Sequence, residues 1–438
     1  MDTRIVNLRI KAHHMTFLNT IKSHFVSLFF VLAINLGFAQ NKILIENGFL
    51  HAGNGNTIET ASIGIENGKI VHIKNSLTFP VDKQKYDLVI DAAGQHIYPG
   101  FFAPNSTLGL TEIDAVRATV DFYEVGEFNP HIRALIAFNV ESKVVATVRT
   151  NGVLFAQATP RGGAVTGSSS LMRLFGWNWE DAVVLADEGI HLNWPNFIHY
   201  GWREVRVNKA YKDEIAALES FFAEAKNYAL SKDKSRKVDL RFESMKRIFT
   251  GSQRVYFRAS SAQELLDVIQ FVKKFEIKHP VIVGGYDSYL ILDQLRDSKI
   301  PVMLGRVHDL PRNDEDDIHM PFKLPAILQN AGILFCLQNE GDMEAMNARN
   351  LPFLAGTART YGLTTEQAVA AISLNAAKIM GVDKEYGSID VGKSATLFIS
   401  KGDALDMRTN QVSTIIVDGK MQSIRNHQDD LYDKYKNK

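Results

Sequence analysis

The stretch GRVHDLPRNDEDDIH, residues 305–319, concentrates groups that do chemistry. It follows the apolar run IPVMLG, so Arg306 and His308 stand just past the end of a candidate strand. A histidine there is placed to act as a general base, and an arginine as a fork for an anion. The acidic residues from Asp314 to Asp317 lack the spacing of an EF-hand and read as solvated loop. RGGAVTGSSS, residues 161–170, reads as a Gly/Ser loop and matches neither the P-loop nor the dinucleotide fingerprint. His191 and His199 are separated by Pro195, so they form no helical i, i+4 metal pair, and His131 stands apart. Cys336 is the only cysteine, which excludes an intrachain disulfide and a Cys-rich zinc site. Trp177, Trp179, Trp194 and Trp202 read as packing or interface residues.

These groups need strands and helices to hold them. KILIENG and ASIGIENGKIVHI alternate apolar and polar residues around Asn67-Gly68, a pair suited to a tight hairpin. GSIDVGKSATLFIS (387–400) and TIIVDGKM (414–421) repeat that texture near the other end of the chain. One small sheet domain built from both ends, residues 40–95 and 385–424, is expected. Between them strand and helix patterns alternate. RVYF, HPVIVGG, IPVMLG and ILFCLQ are near-continuous apolar runs, as in parallel strands buried on both faces. Thr364 and Gln367 form a capping box for a helix running to Met380. Repeated units of this length predict an α/β fold, a (β/α)8 TIM-type barrel over residues 96–384; a doubly wound open sheet is the alternative. Residues 209–250 read as a helical insertion and 425–438 as a tail.

Net charge is zero, which gives no reason to expect nucleic acid or an anionic membrane as partner. Arg4, Arg9 and Lys11 precede the apolar run FVSLFFVLAINLGFA, which ends at Ala39. Residues 1–39 read as a secretory signal cut before Gln40, with Met15 as a second possible start. The reading implies a periplasmic or secreted protein with no membrane segment after cleavage; an uncleaved anchor is the other reading.

ILIENGFLHAGNG, VIDAAGQHIYPGFF, GGYDSYLILDQL, RNLPFLAGTARTYGLT and LNAAKIMGVDKEYGSIDVGKSATLFI together resemble the amidohydrolase superfamily, in its imidazolonepropionase-like branch. The resemblance runs over nearly all of the chain after residue 40. It implies a barrel with a small β domain, and hydrolysis of C–N bonds in amides, cyclic amides or peptides by water held on zinc or another divalent metal. The residues that would bind that metal differ. Where the family pattern has His-x-His after its first strand, NSTLGL places Asn105 and Thr107, and Ala103 replaces the preceding Asp. After RVYF, Arg258 takes a ligand position, and VGGYD offers only Gly284 and Gly285. Glu340, in LQNEG, aligns with the family's catalytic carboxylate.

Neither an amide nor a guanidinium replaces imidazole as a metal ligand, so no cofactor is expected. Arg258 and Glu340 are expected to form an ion pair across the barrel mouth. Two functions stay open. In the first, catalysis is degenerate and the chain is a ligand-binding or partner subunit, in a homo-oligomer or beside an active relative. Arg258, Arg306 and Asn105 would then bind a small molecule. In the second, a divergent hydrolase uses Glu340 with His308.

Overall fold

The computed structural model describes residues 42–200, 205–233 and 235–438. The proposed signal segment and Trp202 lie outside them. β1 (Ile43–His51) pairs antiparallel with β2 (Thr57–Glu66), and β2 with β3 (Lys69–Asn75). Asn67 and Gly68 both take positive φ in the turn between β2 and β3, the conformation that this pair adopts at low steric cost. β4 (Leu88–Asp91) and β5 (His96–Pro99) run parallel to β1. The small sheet therefore extends past residue 95, because β5 bonds to β1 on one side.

The chain then enters the second sheet: β6 (Phe101–Ser106), β7 (Val153–Ala158), β8 (Val165–Arg173) and β9 (Val183–Asn193). A short hairpin, β10 (Ile198–Tyr200) and β11 (Val205–Val207), stands outside it. β12 (Arg254–Ala259), β13 (Pro280–Gly284), β14 (Val302–Leu304) and β15 (Phe335–Leu337) complete the sheet, in the order β15-β14-β13-β12-β9-β8-β7-β6. β16 (Leu397–Ser400), β17 (Val412–Val417) and β18 (Lys420–Gln422) return to the small sheet, where β16 pairs with β5.

The larger sheet is a nearly closed eight-stranded barrel, the fold class that the alternating pattern predicts. Its helices include Ala262–Phe275, whose Leu265, Val268, Ile269 and Phe275 are buried as the periodicity requires. Residues 209–250 form two helices, Tyr211–Leu230 and Leu240–Thr250. No described helix is long and apolar enough to cross a membrane.

Several expectations need correction. One barrel strand is reversed: β8 runs antiparallel to both β7 and β9. The segment joining β7 to β8 is a few residues, far short of the dozen that a parallel crossover needs, so the chain can only turn back. Hence the Gly/Ser stretch is mostly strand, and only residues 161–164 are loop. The helix predicted to reach Met380 is two, Thr365–Ala371 and Leu374–Met380. The break is structural: the Ile372 carbonyl accepts the backbone N–H of Phe102 at 2.9 Å, tying this corner to β6. Tyr286–Leu290 is a 3₁₀ turn ahead of the helix Leu292–Ser298. The tail carries a helix, His427–Tyr435, opened by an Asn426 cap.

Candidate functional site

The barrel's two end strands, β6 and β15, share no ladder. Their seam is closed by side chains. Asn105, at the end of β6, donates from Nδ2 to Gln338 Oε1 at 2.8 Å, just past β15. Asn105 is buried and held at positive φ, a conformation that asparagine tolerates better than most residues. Its backbone N–H donates to Gln157 Oε1 on β7 at 2.8 Å.

Arg258 reaches the same point from β12, four strands away around the sheet, so the contact crosses the lumen. Its Nη2 donates to Asn105 Oδ1 at 2.9 Å and its Nη1 to Glu340 Oε2 at 2.5 Å. The expected ion pair is thus present, with its side chains 30% and 23% exposed. Arg306 does something else. Its Nε and Nη2 both donate to the Glu340 backbone carbonyl, at 2.8 and 2.6 Å, clamping the loop that carries the carboxylate. Gly341 makes the clamp possible: a Cβ there would lie 2.2 Å from Arg306 Nη2.

A third arginine was not foreseen from the sequence. Arg161 donates from Nη2 to the Asn105 carbonyl at 2.8 Å and to Glu344 Oε1 at 2.9 Å. Burial pulls its pKa down, opposed first by Glu344. Beneath these groups lies a buried polar layer, also missed. Glu188 on β9 accepts from Gln157 Nε2 and Ser169 Oγ, each at 2.6 Å, and from Tyr256 Oη at 2.8 Å. Burial pushes its carboxyl up, countered by Arg254 and these three donors. His191 stacks on Tyr256 with ring centroids 4.3 Å apart, and its Nε2 sits 2.9 Å from Ser169 Oγ. Burial lowers the His191 pKa well below its ordinary value, and the charges of Arg161 and Arg258 lower it further. A signal existed for two of them: Gln157 in VLFAQA and Tyr256 in RVYF interrupt apolar runs, whereas Ser169 and Glu188 lie in strands that already carry several polar residues.

Two cavities open at this end of the barrel, divided by the loop from Glu340 to Asp342. One, of about 860 Å³, is lined by Thr107, Arg117, Arg161, Arg258, Glu340 and Glu344 among others. The other, of about 580 Å³, is lined by Ser260, Tyr286, Arg306, Asp309 and Glu340 among others. His308 lines neither. Its Nε2 is 2.6 Å from Thr357 Oγ1, and burial lowers its pKa, with Arg306 adding to the effect. The structure does not bring His308 to Glu340 as an acid–base pair. The acidic run is also committed elsewhere: Asp316 accepts from Tyr286 and Tyr289, and Asp317 pairs with Lys323.

The donor set does not fit a divalent metal. Asn105 Oδ1 and Glu340 Oε2 both accept from the Arg258 guanidinium, which offers donors and no lone pair. An ion beside them would face a like charge. Among the described residues, no group of three or more His, Cys, Asp or Glu side chains is placed to hold one.

Comparison with known proteins agrees with the architecture. Residues 264–422 match the model of the Amidohydrolase family. No curated protein sequence matches the chain. An amidohydrolase from Thermotoga maritima superposes with a TM-score of 0.75 at 22% identity, over 87% of this chain and 100% of that one. A prolidase complexed with N-methylphosphonate-L-proline gives a TM-score of 0.52 at 13% identity, over 87% and 100%. An adenosine deaminase from Xanthomonas campestris with bound zinc gives 0.51 at 13%, over 87% and 92%. At these identities the likeness establishes the fold.

Proposed function

We propose that this chain is an amidohydrolase-type barrel that has given up metal-assisted hydrolysis of C–N bonds and binds a small amphoteric ligand at its mouth. The observation that carries the reading is the Arg258 guanidinium, seated between Asn105 and Glu340 at the strand ends. A fixed organic cation stands where bound metal would need lone pairs. The larger cavity supports the ligand class. Arg117, Arg161 and Arg258 line it together with Asp114, Glu340 and Glu344, so both signs of charge face one volume. A zwitterion such as an amino acid or short peptide satisfies both.

Metal analysis of the purified full chain tests the first half of the proposal. Less than a stoichiometric content of zinc, manganese or nickel is expected, with no turnover in a screen of amides, dipeptides and cyclic imides. One tightly held equivalent of metal, or turnover that Glu340→Gln abolishes, would sink it. Calorimetric titration with dipeptides tests the second half: binding that Arg258→Met removes is expected. Residues 1–39 we take as an export signal, so N-terminal sequencing of the mature protein should begin at Gln40.

A further inference from the structure

The reversed strand β8 ends on the face of the barrel opposite the mouth. There, Arg149, Arg173, Phe175, Trp177, Asp181, Asp418 and Lys420 line a cleft of about 420 Å³ against the β17–β18 turn. One of its arginines, Arg149, is short of acceptors. Arg149 closes the helix Lys143–Arg149, and among the described residues its guanidinium makes one hydrogen bond, from Nη1 to the Leu174 carbonyl at 3.2 Å. Its guanidinium carbon lies 4.3 Å from the centre of the Phe175 ring, which fixes the plane of the group. Its Nε is buried with no partner, and so is that of Arg173. Among the described residues, no carboxylate pairs with Arg149. Burial lowers its pKa with no charge opposing the shift.

The remaining charges do not balance it. Arg173 pairs with Asp418, which also accepts from Ser394 and Tyr386. Asp181 Oδ2 accepts from the Trp177 backbone N–H at 2.9 Å. Lys420 is exposed at the rim. Three cations thus face two carboxylates, both already engaged. Trp177 stands beside them, 89% exposed. An exposed indole offers a face for a planar substituent.

We propose that this rear cleft is a binding site for a phosphate-type oxyanion carrying an aromatic group, held by Arg149, Arg173 and Lys420 and covered by Trp177. A phosphate monoester brings three acceptor oxygens and nearly two negative charges, more than a single carboxylate supplies to three cations. The site is separate from the barrel mouth and stands or falls apart from the function proposed there.

Fluorescence titration of the full chain with phenyl phosphate, inorganic phosphate and benzoate tests it. Saturable quenching is expected, strongest with phenyl phosphate and weakened by added salt. Arg149→Gln and Lys420→Gln should each weaken binding about tenfold, and Trp177→Phe should remove the preference for phenyl phosphate over inorganic phosphate. Arg258→Met should leave all three affinities unchanged. Lys420 is exposed, so its variant keeps the test valid if Arg149→Gln folds poorly. Absence of saturable binding, equal affinity for benzoate and phenyl phosphate, or binding untouched by both variants would overturn the proposal.

Discussion

The two ends of the barrel treat arginine differently. At the mouth, Arg258 holds Glu340 at 2.5 Å and Arg161 holds Glu344 at 2.9 Å. At the rear, Arg149 has a carbonyl, a phenyl ring and, among the described residues, no carboxylate. The first is a charge cluster closed upon itself; the second is left open. Removing one member of a closed cluster strands its partner, so a cost to stability comes on top of any loss of binding. Removing Arg149 strands no carboxylate among the described residues, so its cost falls on binding.

The largest effect should come from the deepest part of the closed network. Glu188→Ala leaves Gln157, Ser169 and Tyr256 without their common acceptor and opens a cavity. Urea denaturation should show a loss of about 3–5 kcal/mol. Next is Arg258→Met. Among the described residues the Glu340 carboxylate keeps the Asn105 amide, at 3.3 Å, and the partial exposure of the pair moderates the loss to about 1–3 kcal/mol. A double-mutant cycle with Glu340→Gln should show the two changes to be non-additive; strict additivity would mean that the cluster is not closed after all.

A pH series sharpens the contrast further. His191 is held neutral by burial, so below its ordinary value of 6.5 the unfolded chain takes up a proton that the folded chain refuses. The stability it supplies is full above that value and is lost as pH falls toward the lowered folded pKa. The slope reaches at most about 1.4 kcal/mol per pH unit. Subtracting the profile of His191→Phe from that of the wild type isolates the contribution, and identical profiles would refute it. The smallest effect belongs to the open cluster. Arg149→Gln should change stability by about 1 kcal/mol or less, because no carboxylate is stranded. A loss equal to that of Arg258→Met would erase the distinction between the two ends.

Much of this architecture was legible in the residues. Asn67-Gly68 announces its hairpin, the apolar runs announce β12 to β15, and Thr364 with Gln367 caps its helix as expected. Arg258 and Glu340 could be paired because both follow strands that end at the same face. Other features depend on distance through space. The second half of the predicted long helix yields to a tertiary bond, the Phe102 N–H to the Ile372 carbonyl, which no local pattern encodes. His308 follows its strand as foreseen, yet its ring finds Thr357, a partner on a helix much later in the chain. Glu188 has polar neighbours along its strand that give no local sign of burial, and its three donors make it part of the lumen. The reversal of β8 was available to arithmetic, since the connection before it is too short for any crossover.

That reversal also bears on the order in which the molecule assembles. β7, β8 and β9 follow one another through two short connections, the second carrying the helical turn Trp179–Ala182, so their pairing closes only short loops, which form fast. β6 reaches the segment after β15 only when nearly the whole barrel sequence is in place. The meander should therefore form first, with Glu188 already joined to Ser169 and Gln157. Tyr256 and Arg258 arrive later, and the Asn105–Gln338 seam zips last. The chain would build the centre of its polar lumen as a small local sheet, then wrap the rest of the wall around it.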